Sequence, residues 1–249
     1  MGIFTRKTLL LLCAIIISTL VNAQDFVYNE NLATKGFNIQ SSTKGAIVLT
    51  HSIYNFQLSD VQIEGESMKQ LQYGLSILPS QEGAPDLQAI ARYVLIPNGA
   101  QVKMNILHEE KVTYSNIEIA PAAAIPFDTE ESQPAVKGSV YQKNAFFPSE
   151  VYQAKTTEVR GMTMAIVGIS PFQYNPVTKE LIVYKNVEVE LQIIGGDGVY
   201  GQDRFRSRFW DPILDDLLLN NQDIPVINYA KAATSNRDVE GCEYLILVP

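Results

Sequence analysis

The chain has 249 residues, 46% of them hydrophobic, and carries a formal net charge of -8. That length suits one large β domain or two small domains with a sizeable apolar core. The acidic balance, with no cluster of Lys and Arg, argues against nucleic acid and anionic membrane surfaces as partners, since both need concentrated positive charge.

The N-terminus reads as a secretory signal over residues 1-23. Arg6 and Lys7 form a cationic head, Thr8 to Leu20 a short apolar core, and Val21-Asn22-Ala23 a small-residue site. The core is too short and too weakly flanked for a stable span, so no stable membrane insertion is expected after its removal. Cleavage is placed between Ala23 and Gln24. Cys13 lies inside the apolar core and lacks the preceding small residue that a lipoprotein signal requires. Once the signal is gone the remaining thiol is Cys242, so an intramolecular disulfide is impossible and packing and hydrogen bonds must hold the fold.

From about Lys35 to Ile193 apolar residues alternate or come in short runs broken by Gly, Pro, Asn and Ser. That pattern predicts antiparallel strands over Ala46 to Phe56, Leu71 to Leu78, Ile90 to Ile96, Val102 to Leu107 and Val112 to Ala120. The segment Ala122 to Val136 breaks the rhythm, is acidic at Asp128, Glu130 and Glu131, and reads as an exposed loop. Met162 to Ile169 and the alternating run Leu181 to Ile193 are predicted to pair as a long hairpin, joined by turn residues in Ser170 to Pro176. Many short strands with regular turn signals give an all-β class, an antiparallel β-sandwich or jelly roll.

The period changes after Gly201. Phe205, Phe209, Ile213, Leu214, Leu217 and Leu218 share one helical face between Phe205 and Asn221, and Pro212 belongs early in that helix, so that the residues before it can form a separate turn. A polar link follows over 231-239, with Lys231 and Arg237 as accessible cleavage points. Residues 240-249 end in an apolar run, Tyr244 to Val248, that reads as a buried strand needing partners beyond Pro249. The region 24-230 is thus expected to be one sandwich, and the reading frame to continue.

Residues with chemistry do not assemble into a site. His51 and His108 fall in predicted strands, and Cys242 opens the terminal strand, where a thiol is an ordinary small core residue. His108-Glu109-Glu110 lacks a second His or a Cys pair for a metal and reads as a solvated strand end, and Gly195-Gly196-Asp197-Gly198 lacks the Lys-Ser/Thr of a phosphate loop. No catalytic residue, metal site or cofactor is expected in this chain.

Three pieces, in order and at their spacing, carry a resemblance: Asn144-Ala145-Phe146-Phe147-Pro148-Ser149-Glu150, then Glu158-Val159-Arg160-Gly161, then Pro171 to Lys179 followed by Leu181-Ile182-Val183-Tyr184. Gly83-Ala84-Pro85-Asp86-Leu87 is a fainter fourth. Together they resemble the propeptide of the gingipain family of cysteine peptidases, most closely from about Asn116 to Tyr229.

The resemblance implies a secreted β-sandwich prodomain with one C-terminal helix that keeps the following peptidase latent and assists its folding. It makes Tyr244 to Val248 the first strand of a truncated α/β peptidase domain, with the catalytic residues downstream. The partner implied is that downstream domain of the same precursor. Better-known members place an Arg or Lys of a propeptide loop in the specificity pocket. The corresponding loop here, Ala122 to Val136, has neither, and Asp128 or Phe127 stands about where the basic residue is expected. The rival reading is a secreted β-sandwich binding or adhesion module at the head of a cell-surface protein.

Overall fold

The computed structural model describes residues 23–28, 36–73, 80–126 and 133–227. Eleven strands, three 3-10 turns and one short α-helix make up the described residues. The strands are β1 Gln24–Val27, β2 Gly36–Ser42, β3 Ala46–Ser52, β4 Asn55–Ile63, β5 Glu66–Gln72, β6 Ile90–Leu95, β7 Gln101–Tyr114, β8 Tyr152–Val159, β9 Met162–Ile169, β10 Phe172–Asn175 and β11 Glu180–Ile194.

They form three sheets. One has the order β1-β4-β5, one the order β6-β9-β8, and the largest runs β10-β11-β3-β2 with β7 on the free side of β11. All the strand pairs are antiparallel. Ile47 and Leu49 of β3 and Val187, Val189 and Leu191 of β11 face Val94, Ala165 and Val167 of the β6-β9-β8 sheet, and this dry layer makes the sandwich. A second core, with Phe56, Leu58, Leu71, Phe172, Tyr174, Leu181 and Val183, joins the β1-β4-β5 sheet to the other end of β11.

The alternation of β11 holds as expected: Val187, Val189 and Leu191 are buried while Glu188, Glu190 and Gln192 are not. Its pairing does not. β9 is the central strand of a different sheet, between β6 and β8, so the expected hairpin of Met162 to Ile169 with Leu181 to Ile193 is absent. The reason is that β9 is covered on both faces. Ala165 and Val167 point into the sandwich, and Met162 and Met164 point outward against Leu214 and Leu218. A strand buried on both sides reads as a continuous apolar run, which carries no information about its neighbour. Ser170-Pro171 instead carries the chain from one sheet to the other. The hairpin partner of β11 is the short β10, its turn held by Asn175 Oδ1, which accepts from the backbone N–H groups of Val177 and Thr178 at 3.1 and 3.3 Å.

Three further boundaries move. Ala46 to Phe56 is two strands, because the chain changes sheet at the buried Ile53, whose N–H donates to Lys185 O at 2.9 Å. The separate strands over Val102 to Leu107 and Val112 to Ala120 are one long strand, β7, which ends at Tyr114. Register shifts against β11 leave Leu107 and Lys185 without a partner on that ladder, which breaks the alternation without breaking the strand. His108-Glu109-Glu110 therefore sits mid-strand rather than at a strand end. The expected strand Leu71 to Leu78 belongs to β5, which starts at Glu66 and ends at Gln72; residues 74–79 lie outside the described residues.

The predicted helix is shorter than its apolar pattern. Helix α1 spans Asp211–Leu217, with Pro212 in its first turn, and residues 203–205 form a separate 3-10 turn. Leu214 and Leu218 are buried, whereas Phe209 and Ile213 are 54% and 49% exposed, so the expected single apolar face is only partly covered. Beyond α1 the chain closes the free edge of β6. Leu219 N donates to Tyr93 O at 2.9 Å. The buried Asn220 amide accepts from Leu95 N at 2.7 Å and donates to Leu95 O at 2.9 Å, as a paired strand residue would. Arg206 grips Asp211 through two hydrogen bonds, of 2.7 and 3.2 Å, and also donates to the Pro225 carbonyl.

Candidate functional site

The most constructed surface feature is the stem from which the segment 123–137 leaves the sandwich. It starts where Ile119, Ala120 and Ala122, all buried, run between two other segments. On one side Lys69 N donates to Glu118 O at 2.6 Å, and Ala120 N donates to Lys69 O at 2.8 Å. On the other, Asp86 N donates to Ala120 O at 2.9 Å, Ala122 N to Ala84 O at 2.8 Å and Gly83 N to Ala122 O at 3.0 Å. After the excursion the chain returns at Gly138, whose N–H donates to Gly83 O at 2.7 Å. Both ends of the segment are thus bonded to one residue.

Side chains brace the stem. The Tyr174 hydroxyl donates to Ile117 O at 2.9 Å and the Tyr141 hydroxyl to Ile119 O at 2.7 Å. Burial pushes the Tyr174 phenol up to about 12 and raises that of Tyr141 further, so both are neutral donors across the physiological range. Lys137, the first basic residue after the loop, is ion-paired to Glu66 in the β4–β5 hairpin, and its ammonium lies 5.7 Å from the centre of the Tyr141 ring. The Lys137 partner holds the Glu66 carboxyl below its ordinary value. Past the stem the described residues turn outward: Ile125 is 70% exposed and Val136 50%. Phe127 and Asp128 lie outside the described residues.

The other residues singled out by sequence do not converge. His51 is buried in β3, its Nε2 3.3 Å from the Tyr73 hydroxyl and its Nδ1 without a hydrogen-bond partner. His108 is exposed on β7. Cys13, Cys242, Lys231, Arg237 and the terminal run Tyr244 to Val248 lie outside the described residues. Ala23 is exposed, and Gln24 is the first residue of β1, paired with Leu58. Among the described residues no three His, Cys, Asp or Glu side chains are grouped to hold a metal, and no helix is long and apolar enough to cross a membrane.

The break in apolar rhythm at Ala122 coincides with the point where the described residues leave the sandwich, whereas the anchor carries no such signal. Gly83 and Gly138 are separated by more than fifty residues, and their approach has no periodicity to betray it. The available signal was Gly83-Ala84-Pro85, a turn-forming tripeptide whose hydrogen-bonding partner the sequence alone does not name.

Comparison with known proteins agrees with this architecture. Gingipain R1 of Porphyromonas gingivalis is 26% identical over 157 residues, covering 61% of this chain and 16% of the relative. Lys-gingipain HG66 of the same species is 22% identical over 213 residues, covering 82% of this chain and 12% of the relative. The chain therefore spans only a small share, 16% or 12%, of the curated relatives it matches. Among solved structures, the complex of Porphyromonas gingivalis RgpB pro- and mature domains matches with a TM-score of 0.67 at 21% identity, over 77% of this chain and 99% of that one. A structure describing the zymogenic latency of gingipain K from that organism matches with a TM-score of 0.60 at 18% identity, over 70% of this chain and 100% of that one. At these identities the two structures establish the fold. The Propeptide_C25 family model matches residues 36–195, well over half of the sequence, and the chain belongs to that family.

Proposed function

We propose that this chain is the exported propeptide region of a gingipain-like cysteine peptidase precursor, and that it keeps the downstream peptidase latent and assists its folding. The observation that carries the reading is the stem: a family propeptide fold spends eight backbone and phenol hydrogen bonds on holding out one exposed loop. A segment anchored so firmly at its base and so exposed beyond it suits the occupation of a partner's cleft. Membership of a propeptide family favours this reading over the adhesion module.

In this reading residues 1-23 are removed at Ala23 and Gln24, 24-230 form the prodomain, 231-239 are the processing link cut at Lys231 or Arg237, and 240-249 begin the peptidase. The catalytic residues lie downstream of Pro249, and the product is secreted to the periplasm, outer surface or beyond. The loop Ala122 to Val136 lies across the active site and acts either by steric cover alone or by placing Phe127 or Asp128 in the specificity pocket. A carboxylate entering a dry pocket needs a charge-assisted partner, so an Asp128 ligand goes with a positively charged pocket and a preference for acidic residues before the cut.

The test is the inhibition constant of the purified propeptide against the peptidase domain of its own precursor, for wild type, Asp128→Ala and Phe127→Ala. Loss of inhibition in one variant assigns the pocket residue. Equal constants for all three remove both side chains from the mechanism and leave steric cover alone.

A further inference from the structure

Gly83 and Gly138 cross at the base of the loop with no room for a side chain between them. A Cβ on Gly138 would lie 2.8 Å from Gly83 O, closer than real Cβ atoms come to a backbone, and a tight 3.1 Å from Gly83 C. Gly138 has φ -86° and ψ -175°, an extended conformation open to any residue. Its lack of a side chain is therefore explained by the close approach and by no demand of its own backbone. Gly83, by contrast, has φ +70°, in the left-handed region, and a Cβ there would lie 3.2 Å from Gly138 Cα. One residue thus donates to the outgoing strand at Ala122 and accepts from the returning strand at Gly138.

We infer that Gly83 is the pivot that positions the two limbs 123–126 and 133–137, and that the Gly83–Gly138 contact sets the angle at which those limbs leave the sandwich. The inference about what that angle serves rests on the latency reading above; the pivot itself does not. Gly83 and Gly138 are positioning residues and touch no substrate. Lys137, adjacent to the crossing, is held by Glu66 and the Tyr141 ring. Its ammonium is a second latch on the returning strand, so the basic residue nearest the loop is committed to the stem.

The experiment uses the full exported chain and amide hydrogen exchange, with the peptidase domain of the same precursor as the binding probe. In wild type the amides of Gly83, Ala122 and Gly138 are protected, while those of 123–126 and 133–136 exchange freely. Unprotected Gly83 and Gly138 amides in wild type overturn the pivot without any variant. Gly138→Ala is expected to speed exchange at Gly83, Ala122 and Gly138 about tenfold, the scale of one broken hydrogen bond. Protection in β11 should be unchanged, which separates the local effect from unfolding. Gly45→Ala is the control, because a Cβ there meets nothing within 4 Å. Inhibition by Gly138→Ala should be about tenfold weaker than by wild type, on the same scale. Faster exchange with unchanged inhibition refutes the positioning role. Wild type that does not inhibit at all sinks the latency reading alone, and the exchange comparison still decides the pivot.

Discussion

Acid should loosen this fold through one side chain before its carboxylates titrate. His51 is 1% exposed, its ring 5.1 Å from that of Phe37, and burial drives its imidazole from 6.5 down to about 4. Such a group takes up its proton more readily in the unfolded chain. The stability contributed by keeping it neutral is therefore complete above pH 6.5, declines as the pH falls, and is gone below about pH 4. The full span is about 3 kcal/mol at 1.36 kcal/mol per pH unit. Between pH 7 and pH 5 the linkage relation gives about 2 kcal/mol, or about 4 to 8 °C in melting temperature for a domain of this size. That window lies above the ordinary carboxylate range, so acidic groups contribute little to it. The assay is a thermal melt followed by circular dichroism at pH 7 and pH 5 for the exported chain and for His51→Leu. The wild type should lose most of that amount and the variant almost none, whatever their baseline difference. Equal losses in the two proteins would refute the assignment to His51.

Four shorter predictions concern the packing and the processing sites. Val189→Asp places an unpaired charge in the dry layer between the sheets, at a cost of about 4 kcal/mol, and should lower the melting temperature by about 10 °C or more. Asn220→Ala leaves both the N–H and the carbonyl of the buried Leu95 without partners, and should cost about 3 kcal/mol in denaturant melts while raising exchange at the β6 edge. N-terminal sequencing of exported material should begin at Gln24, and mass spectrometry of the activated precursor should find the cut at Lys231 or Arg237; a product beginning at Met1, or an active uncut chain, would contradict the processing scheme.

The parts of the fold governed by local period were legible in the sequence. Val187, Val189 and Leu191 alternate because one face of β11 meets the opposite sheet, and the strand could be read from that spacing. Pro212 marked the start of α1 because proline suits the first helical turn. What failed was partner choice. Met162 to Ile169 was recognisable as a strand, but burial on both faces erases the alternation that would have tied it to a neighbour. Leu107 was misread as a strand end because a bulge disturbs the pattern without ending the ladder. Phe209 and Ile213 repeat at helical spacing yet stay exposed, so an apolar stripe overstated the buried face. At the stem, the break in rhythm at Ala122 located the loop, whereas the contact of Gly83 with Gly138 belongs to tertiary structure alone.

The seam formed after α1 bears on what the proposed cleavage would do to the fold. Asn220 substitutes for a strand residue along β6, and Arg206 holds Pro225 by its carbonyl, so the described contacts that complete the sandwich are made by Pro225. Scission anywhere from residue 231 onward falls beyond that seam. Under the processing proposed above, such a cut would sever the covalent tether and leave these described hydrogen bonds in place, so the segment would remain a folded body after it. A cut alone therefore does not dismantle it, and clearing such a body from a partner would take dissociation or further digestion, each with its own rate.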